Sequence, residues 1–227
     1  MSKKRKWLYG IIGIMVLLGL TAGWVIGQQK RRVDPDLLLK TTLSHMNQVE
    51  SFRYELQSEL KVADRREVIS KIQGERAPGG AVHIKGEMVK SPVDIYYINN
   101  VSYNYDPYSK RWLVVEDAAS NVGRVLVAEL SPLSNFSFKE VNSLKLVNFE
   151  KVDGYRCAVL TCSPSLENEL MKVYWDNFHY RLWCEPRQNV LLKAELSAVS
   201  KHNPNTVLNL EVRFSDIGKP ITINKPQ

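Results

Sequence analysis

The sequence predicts an α+β fold: a large curved antiparallel sheet of about ten strands with two or three helices, preceded by one N-terminal transmembrane helix. Three observations predict it. From Phe52 to Val62 apolar and polar residues alternate, with only Ser58 interrupting the apolar side, which is the pattern of a strand with one buried and one wet face. Turn signals then recur between short apolar runs, too close together for parallel crossovers. Finally, Trp7 to Gly27 carries no charged residue.

That last segment is long enough to span a bilayer core, which takes roughly 20 apolar residues in helical form. Trp7 and Trp24 sit near its ends, where amphipathic rings are favoured. The competing reading is a cleaved secretory signal, whose apolar region is shorter, about 7–15 residues; Ala22 and Gly23 are small, but Leu20 is a poor partner for a cleavage site. No cysteine follows that could carry a lipid. The organisation expected is a cytoplasmic basic N-terminus at 1–6, a transmembrane anchor at 7–27, a linker at 28–35 and one extracytoplasmic domain at 36–227. Within the span, Gly19, Gly23 and Gly27 are four apart, a small-residue face through which two such helices could pair as a homodimer.

The net charge of +7 is a property of this segment's flanks. Lys3, Lys4, Arg5, Lys6, Lys30, Arg31 and Arg32 supply seven of the 31 basic residues, and the rest balance the 24 acidic ones. The domain therefore has no footprint for nucleic acid, while the flanks suit anionic headgroups. A short basic N-terminus before the span favours that end inside and the domain outside the cytoplasm, single-pass in the cell membrane.

Along the domain, Asp34-Pro35-Asp36 opens a helix over Leu37–Val49 with Leu38, Leu39, Thr42, Met46 and Val49 on one side. Strands are expected at Phe52–Val62, Glu67–Arg76, Gly80–Met88, Pro92–Ile98, Val101–Tyr105 and Arg111–Glu116. Pro78-Gly79-Gly80, Asn99-Asn100 and Asp106-Pro107 mark turns between them. Ala118–Leu130 has helical spacing at Val122, Val125, Leu126 and Leu130. Strands resume at Leu144–Val152 and Tyr155–Cys162 around the hairpin signal Asp153-Gly154. A further helix is expected at Ser165–Trp175, then strands at Tyr180–Glu185, Val190–Ser200 and Asn205–Phe214, with Gly218–Ile223 as a short edge segment.

Motifs of catalysis are missing from the sequence: no G-x-S-x-G, H-E-x-x-H, P-loop or Rossmann glycine pattern. His45, His83, His179 and His202 are scattered, and the acids Glu116-Asp117, Glu167 and Glu169 fit helix starts. We therefore expect no enzyme, no metal and no cofactor. Cys157, Cys162 and Cys184 are too few for a zinc site. Cys157 and Cys162 point to opposite faces of one strand, so a disulfide, if formed, joins Cys184 to one of them; three buried thiols are the alternative. Tyr96, Tyr97, Tyr103, Tyr105, Tyr108 and Trp112 are either a carbohydrate or lipid platform or ordinary strand aromatics.

The order of elements carries a resemblance. A helix leads into SFRYELQSEL (Ser51–Leu60), then IKGEM (Ile84–Met88), VDIYYINNVSYNYDPYSKRW (Val93–Trp112), VDGYRCAVL (Val152–Leu160), LWCEPRQNVLLKAEL (Leu182–Leu196) and FSDIGKPITI (Phe214–Ile223). Residues 36–225 resemble the bacterial lipoprotein-carrier superfamily, the LolA, LolB and LppX-like half-barrels, in an anchored Gram-positive form. The resemblance implies an antiparallel half-barrel closed by helices around an apolar cavity that takes acyl chains, lipoproteins or glycolipids. It also implies a non-enzymatic carrier or sensor whose partner is a membrane lipid or lipoprotein. Phe52, Tyr54, Leu56, Ile72, Ile84, Ile95, Tyr97 and Trp112 are the residues expected to face inward as the ligand-binding set. Two other functions stay open: an envelope signalling protein of the anti-sigma-regulator type that docks a partner protein, and an envelope hydrolase.

Overall fold

The computed structural model describes residues 33–116 and 131–227. The chain divides into two compact units, Met1–Pro35 and Asp36–Gln227, and the architecture here is that of the second. The expected span at Trp7–Gly27, with Gly19, Gly23 and Gly27, lies outside the described residues, as does the expected helix Ala118–Leu130. Among the described residues no helix is long and apolar enough to cross a membrane.

Helix α1 (Pro35–Gln48) starts with a proline, whose missing N–H costs nothing there, and an acid in its first turn. It buries Leu38, Leu39, Thr42 and Met46, the stripe its spacing predicts. Two antiparallel meanders follow. The first comprises β1 (Phe52–Val62), β2 (Arg65–Arg76), β3 (Val82–Met88), β4 (Ser91–Ile98), β5 (Val101–Asp106) and β6 (Arg111–Glu116). The second comprises β7 (Phe138–Val152), β8 (Tyr155–Leu166), β9 (Trp175–Glu185), β10 (Val190–Ser200) and β11 (Thr206–Ser215), with the short helix α2 (Glu169–Tyr174) between β8 and β9.

The meanders join where β1 pairs with β11, from Arg53 opposite Ser215 to Val62 opposite Thr206. The result is one open sheet of 11 strands in the order β6-β5-β4-β3-β2-β1-β11-β10-β9-β8-β7. Among the described residues the fold is mostly β, with two α-helices beside the sheet rather than the fuller α+β balance expected. Tight turns hold the meanders: Asn99 and Asn100 at φ 51° and 63°, and Asp153 and Gly154 at 49° and 84°, the left-handed pairs that two-residue hairpins require.

Alternation gives the sheet two unlike faces. The inner face carries Phe52, Tyr54 and Leu56 of β1, opposite Phe214 and Val212 of β11, and continues through Leu182 and Leu160. Leu160, Leu182 and Val212 are fully buried. Helix α1 lies over this face, with its Thr42 beside the Cys184 thiol. The outer face is laced by ion pairs: Arg53 with Glu75 and Asp216, Arg181 with Glu150, Lys193 with Glu195 and Glu211. Trp183 is buried on this side because Arg181 and Lys193 lie over its ring at 4.8 and 4.6 Å, while its Nε1 donates to Glu150 at 2.7 Å.

Three expectations need correction. The helix foreseen at Ser165–Trp175 is only Glu169–Tyr174, because β8 runs on to Leu166 paired with Phe138 and β9 begins at Trp175. The segment Gly218–Ile223 is not a strand; the Gly218 N–H donates to Ser51 O at 2.8 Å, and Ile221 is buried. Cys184 bonds to neither Cys157 nor Cys162, since all three are free and buried. Register explains this: Cys184 lies opposite Ala158. Cys157, one residue away, points to the other face. Cys162 is four residues along the strand, about 13 Å, beyond disulfide reach.

Burial pushes these thiols up, to about 11 for Cys157 and about 12 for Cys162 and Cys184. The thiolate is the reactive form, so the native chain is expected to leave all three unmodified by a thiol reagent at pH 8. Denaturant should expose three equivalents, and reductant should leave the melting temperature unchanged. Rapid labelling of the native chain, or a drop in melting temperature on reduction, would contradict the buried-thiol structure.

Candidate functional site

A cavity of about 500 Å³ opens on the inner face, between β1 to β4, the end of α1 and the segment that leads into β7. Its size falls in the range of small-molecule clefts, about 300–1,000 Å³. Its walls are built by short-range rules. Phe52 and Tyr54 come from the inward positions of β1. After β2 the chain reverses through a 3₁₀ turn, Pro78–Gly80, in which Gly79 and Gly80 hold φ of 80° and 83° with no atoms near a would-be Cβ. That turn delivers Val82 to the rim. Tyr97 of β4 completes the aromatic side, and its hydroxyl donates to Asn100 Oδ1 at 3.3 Å.

The opposite wall is the 3₁₀ turn Pro132–Phe136, which buries Leu133 and Phe136. Phe136 packs its ring edge-on against Tyr180 and Phe214, at 5.9 and 6.4 Å between centroids. The Tyr180 hydroxyl donates to Asn135 O at 2.7 Å, which fixes the turn to the floor of the sheet. Polar groups complete the lining: Asn47, Arg76, Asn100, Ser131, Ser134 and Ser137.

Tyr54 owes its pose to Gly74, its register partner on β2. A Cβ at Gly74 would overlap the Tyr54 ring, so the ring lies flat across the glycine backbone. Burial raises the Tyr54 hydroxyl far above the ordinary phenol range, so it is neutral at every physiological pH.

Of the residues expected to face inward, Phe52, Tyr54 and Tyr97 line the cavity. Leu56, Ile72 and Ile84 share that face and are buried, and Ile95 is half-buried beside Ile84. Trp112 is a correction. It pairs with Tyr105 on the opposite face and packs on Tyr96 and Tyr105 at 5.5 and 5.2 Å. The strand RWLVVE is apolar on both sides, so alternation could not choose its inward set. The tyrosines likewise form no single platform: Tyr97 enters the cavity, and Tyr108 projects from the β5–β6 turn. Sequence reasoning missed Val82, Leu133 and Arg76; an arginine on the apolar side of β2 was the available signal.

A second groove, about 820 Å³, lies across charged positions of the sheet that include Glu59, Arg66, Arg181 and Glu211. Most of its charges are already paired, Arg66 with Glu59, Arg181 with Glu150, Glu195 with Lys193, and Glu211 with Lys193 and Arg213, Lys145 being the exception among the described lining residues. Though larger, it lacks a continuous apolar wall, so the smaller cavity is the better ligand site. His83 is held between Asp94 at 2.9 Å and Glu75 at 3.5 Å, stacked 3.8 Å from Tyr96. Among the described residues no group of three or more His, Cys, Asp or Glu side chains is placed to hold a metal ion.

An open antiparallel sheet whose apolar inner face is covered by one helix is an LppX-like fold. The chain is similar to the Mycobacterium tuberculosis lipoprotein LppX, at 15% identity and a TM-score of 0.56, covering 85% of this chain and 100% of that one. LprF from Mycobacterium bovis gives 12% identity and 0.47 over 84% and 95%. A LolA superfamily protein from Nitrosomonas europaea gives 12% and 0.36 over 85% and 96%. No protein-family model matches the sequence, and no curated protein matches it.

Proposed function

We propose that the protein is a membrane-tethered, extracytoplasmic, non-enzymatic module that binds one hydrophobic ligand, a lipid or the lipid moiety of a lipidated protein. The carrying observation is the cavity walled by Phe52, Tyr54, Val82, Tyr97 and Leu133. The fold shared with lipoprotein LppX supports the same reading. Binding free energy would come from burying chain, about 0.8 kcal/mol per methylene, while the hydroxyls and amides at the rim keep the head solvated. The uncharged stretch Trp7–Gly27 would hold this site beside the membrane.

Native mass spectrometry of the full-length chain, extracted in mild detergent, tests the reading. One bound amphiphile per chain is expected, exchangeable with an added chain-bearing lipid. A chain that emerges empty and takes up no added lipid sinks the proposal.

A further inference from the structure

Resting on that reading, we infer that the ligand is an acidic single-chain amphiphile, a fatty carboxylate or phosphate monoester, whose head is held by Arg76. Arg76 ends β2 opposite Phe52 on one side and Val82 on the other, so alternation puts it on the apolar inner face. It is half-buried, and it is the one charged side chain among the described lining residues.

Partial burial together with the lack of a partner sets Arg76 apart from the other arginines of the sheet; among the described residues Arg65 and Arg111 also carry no ion pair, but both are exposed. Arg53, Arg66, Arg181 and Arg213 lie on the polar face and each meets an acid. Among the described residues Arg76 has neither an ion pair nor a hydrogen bond to a side chain. A guanidinium withdrawn toward an apolar cavity without a counter-charge is unfavourable, and an anion arriving there relieves that cost. The fork of donors matches carboxylate or phosphate oxygens two at a time. Asn47, Asn100 and the hydroxyls of Ser131 and Ser137 border the same space and can donate to the remaining oxygens, while the Ser134 hydroxyl already donates to Ser131 O at 2.8 Å.

The tail then runs against Tyr54, Val82, Tyr97 and Leu133. A chain attached through a neutral ester or amide, as on a lipidated protein, satisfies the apolar wall but leaves Arg76 uncompensated. The arginine thus selects among ligands that the cavity alone would admit.

The test uses the full-length chain in detergent and four probes with the same sixteen-carbon tail: carboxylate, phosphate monoester, alcohol and trimethylammonium. Wild type should bind both acids at least about tenfold more tightly than the alcohol, the scale of a charge-assisted hydrogen bond, and the trimethylammonium most weakly. The ratio of the two acids tells which acidic head the site prefers. Arg76→Gln should erase the acid preference and leave the alcohol unchanged; Arg76→Lys should keep part of it, which excludes a folding defect as the cause. Equal affinity of wild type for acid and alcohol, or an equal loss for both in Arg76→Gln, overturns the assignment while leaving the lipid-binding reading intact. If no probe binds, or Val82→Trp leaves every affinity unchanged, the cavity reading itself fails.

Discussion

Phe214→Ala is expected to lower the unfolding free energy by about 3–5 kcal/mol, the usual cost of deleting a buried aromatic ring. Phe214 is only 1% exposed. It sits on β11 opposite Tyr54 of β1, in the pairing that joins the two meanders. Its ring meets Phe52 edge-on at 5.7 Å and Phe136 at 6.4 Å. One substitution therefore empties the contact between sheet seam and cavity wall, and neither strand can move inward without breaking its ladder. Domains are stable by only about 5–15 kcal/mol, so the variant should unfold at markedly lower urea. Tyr155→Ala, at an exposed β8 position, is the control and should stay within about 0.5 kcal/mol of wild type. A loss below about 1 kcal/mol for Phe214→Ala would mean that the seam is not packed as described.

The sheet was legible in the sequence wherever turn chemistry and alternation agreed. Phe52–Val62 is a strand because its pattern leaves one face apolar, and Asn99-Asn100 and Asp153-Gly154 are hairpins because those residues tolerate left-handed backbone. The β3–β4 hairpin shows the opposite case: Val89 and Lys90 hold φ of 49° and 63°, which a β-branched residue rarely adopts. Only the pairing on either side enforces it, so no local signal announces it. The start of β7 is similar. Phe138 to Ser143 has no alternation, and its strand character comes from pairing with β8, where Pro164 lies opposite Val141.

The candidate site was legible in part. Phe52, Tyr54 and Tyr97 follow from period two within their own strands. Leu133 and Ser134 belong to a turn whose position depends on Phe136 reaching Tyr180 and Phe214, contacts across more than forty residues of chain. The free state of the three cysteines was equally hidden, because it follows from the register of β8 against β9 rather than from spacing. Trp112 went to the wrong face for the same reason. Pairing register is a tertiary property wherever both faces of a strand are apolar.

Gly74→Val is expected to abolish ligand binding and to destabilise the domain by about 1–3 kcal/mol, the cost of overpacking a filled site. Gly74 lies in mid-strand, paired with Tyr54 on one side and Ile84 on the other, and it is absent from the residues with left-handed φ. Valine is at home in such backbone, so the clash with the Tyr54 ring is the only obstacle. Strands β1 and β3 flank Gly74 on either side, which leaves the cavity as the space into which the ring can turn, and there it would take the place of a chain. The argument has a sharp control. In a Tyr54→Ala background Gly74→Val should be neutral or mildly stabilising, since it removes glycine's entropic cost of about 0.5–1 kcal/mol. The coupling between the two sites, read from urea unfolding of both single variants and the double, should then reach about 1–3 kcal/mol. If Gly74→Val costs as much without the tyrosine as with it, the ring does not rest on the glycine, and the aromatic wall of the cavity is wrongly drawn.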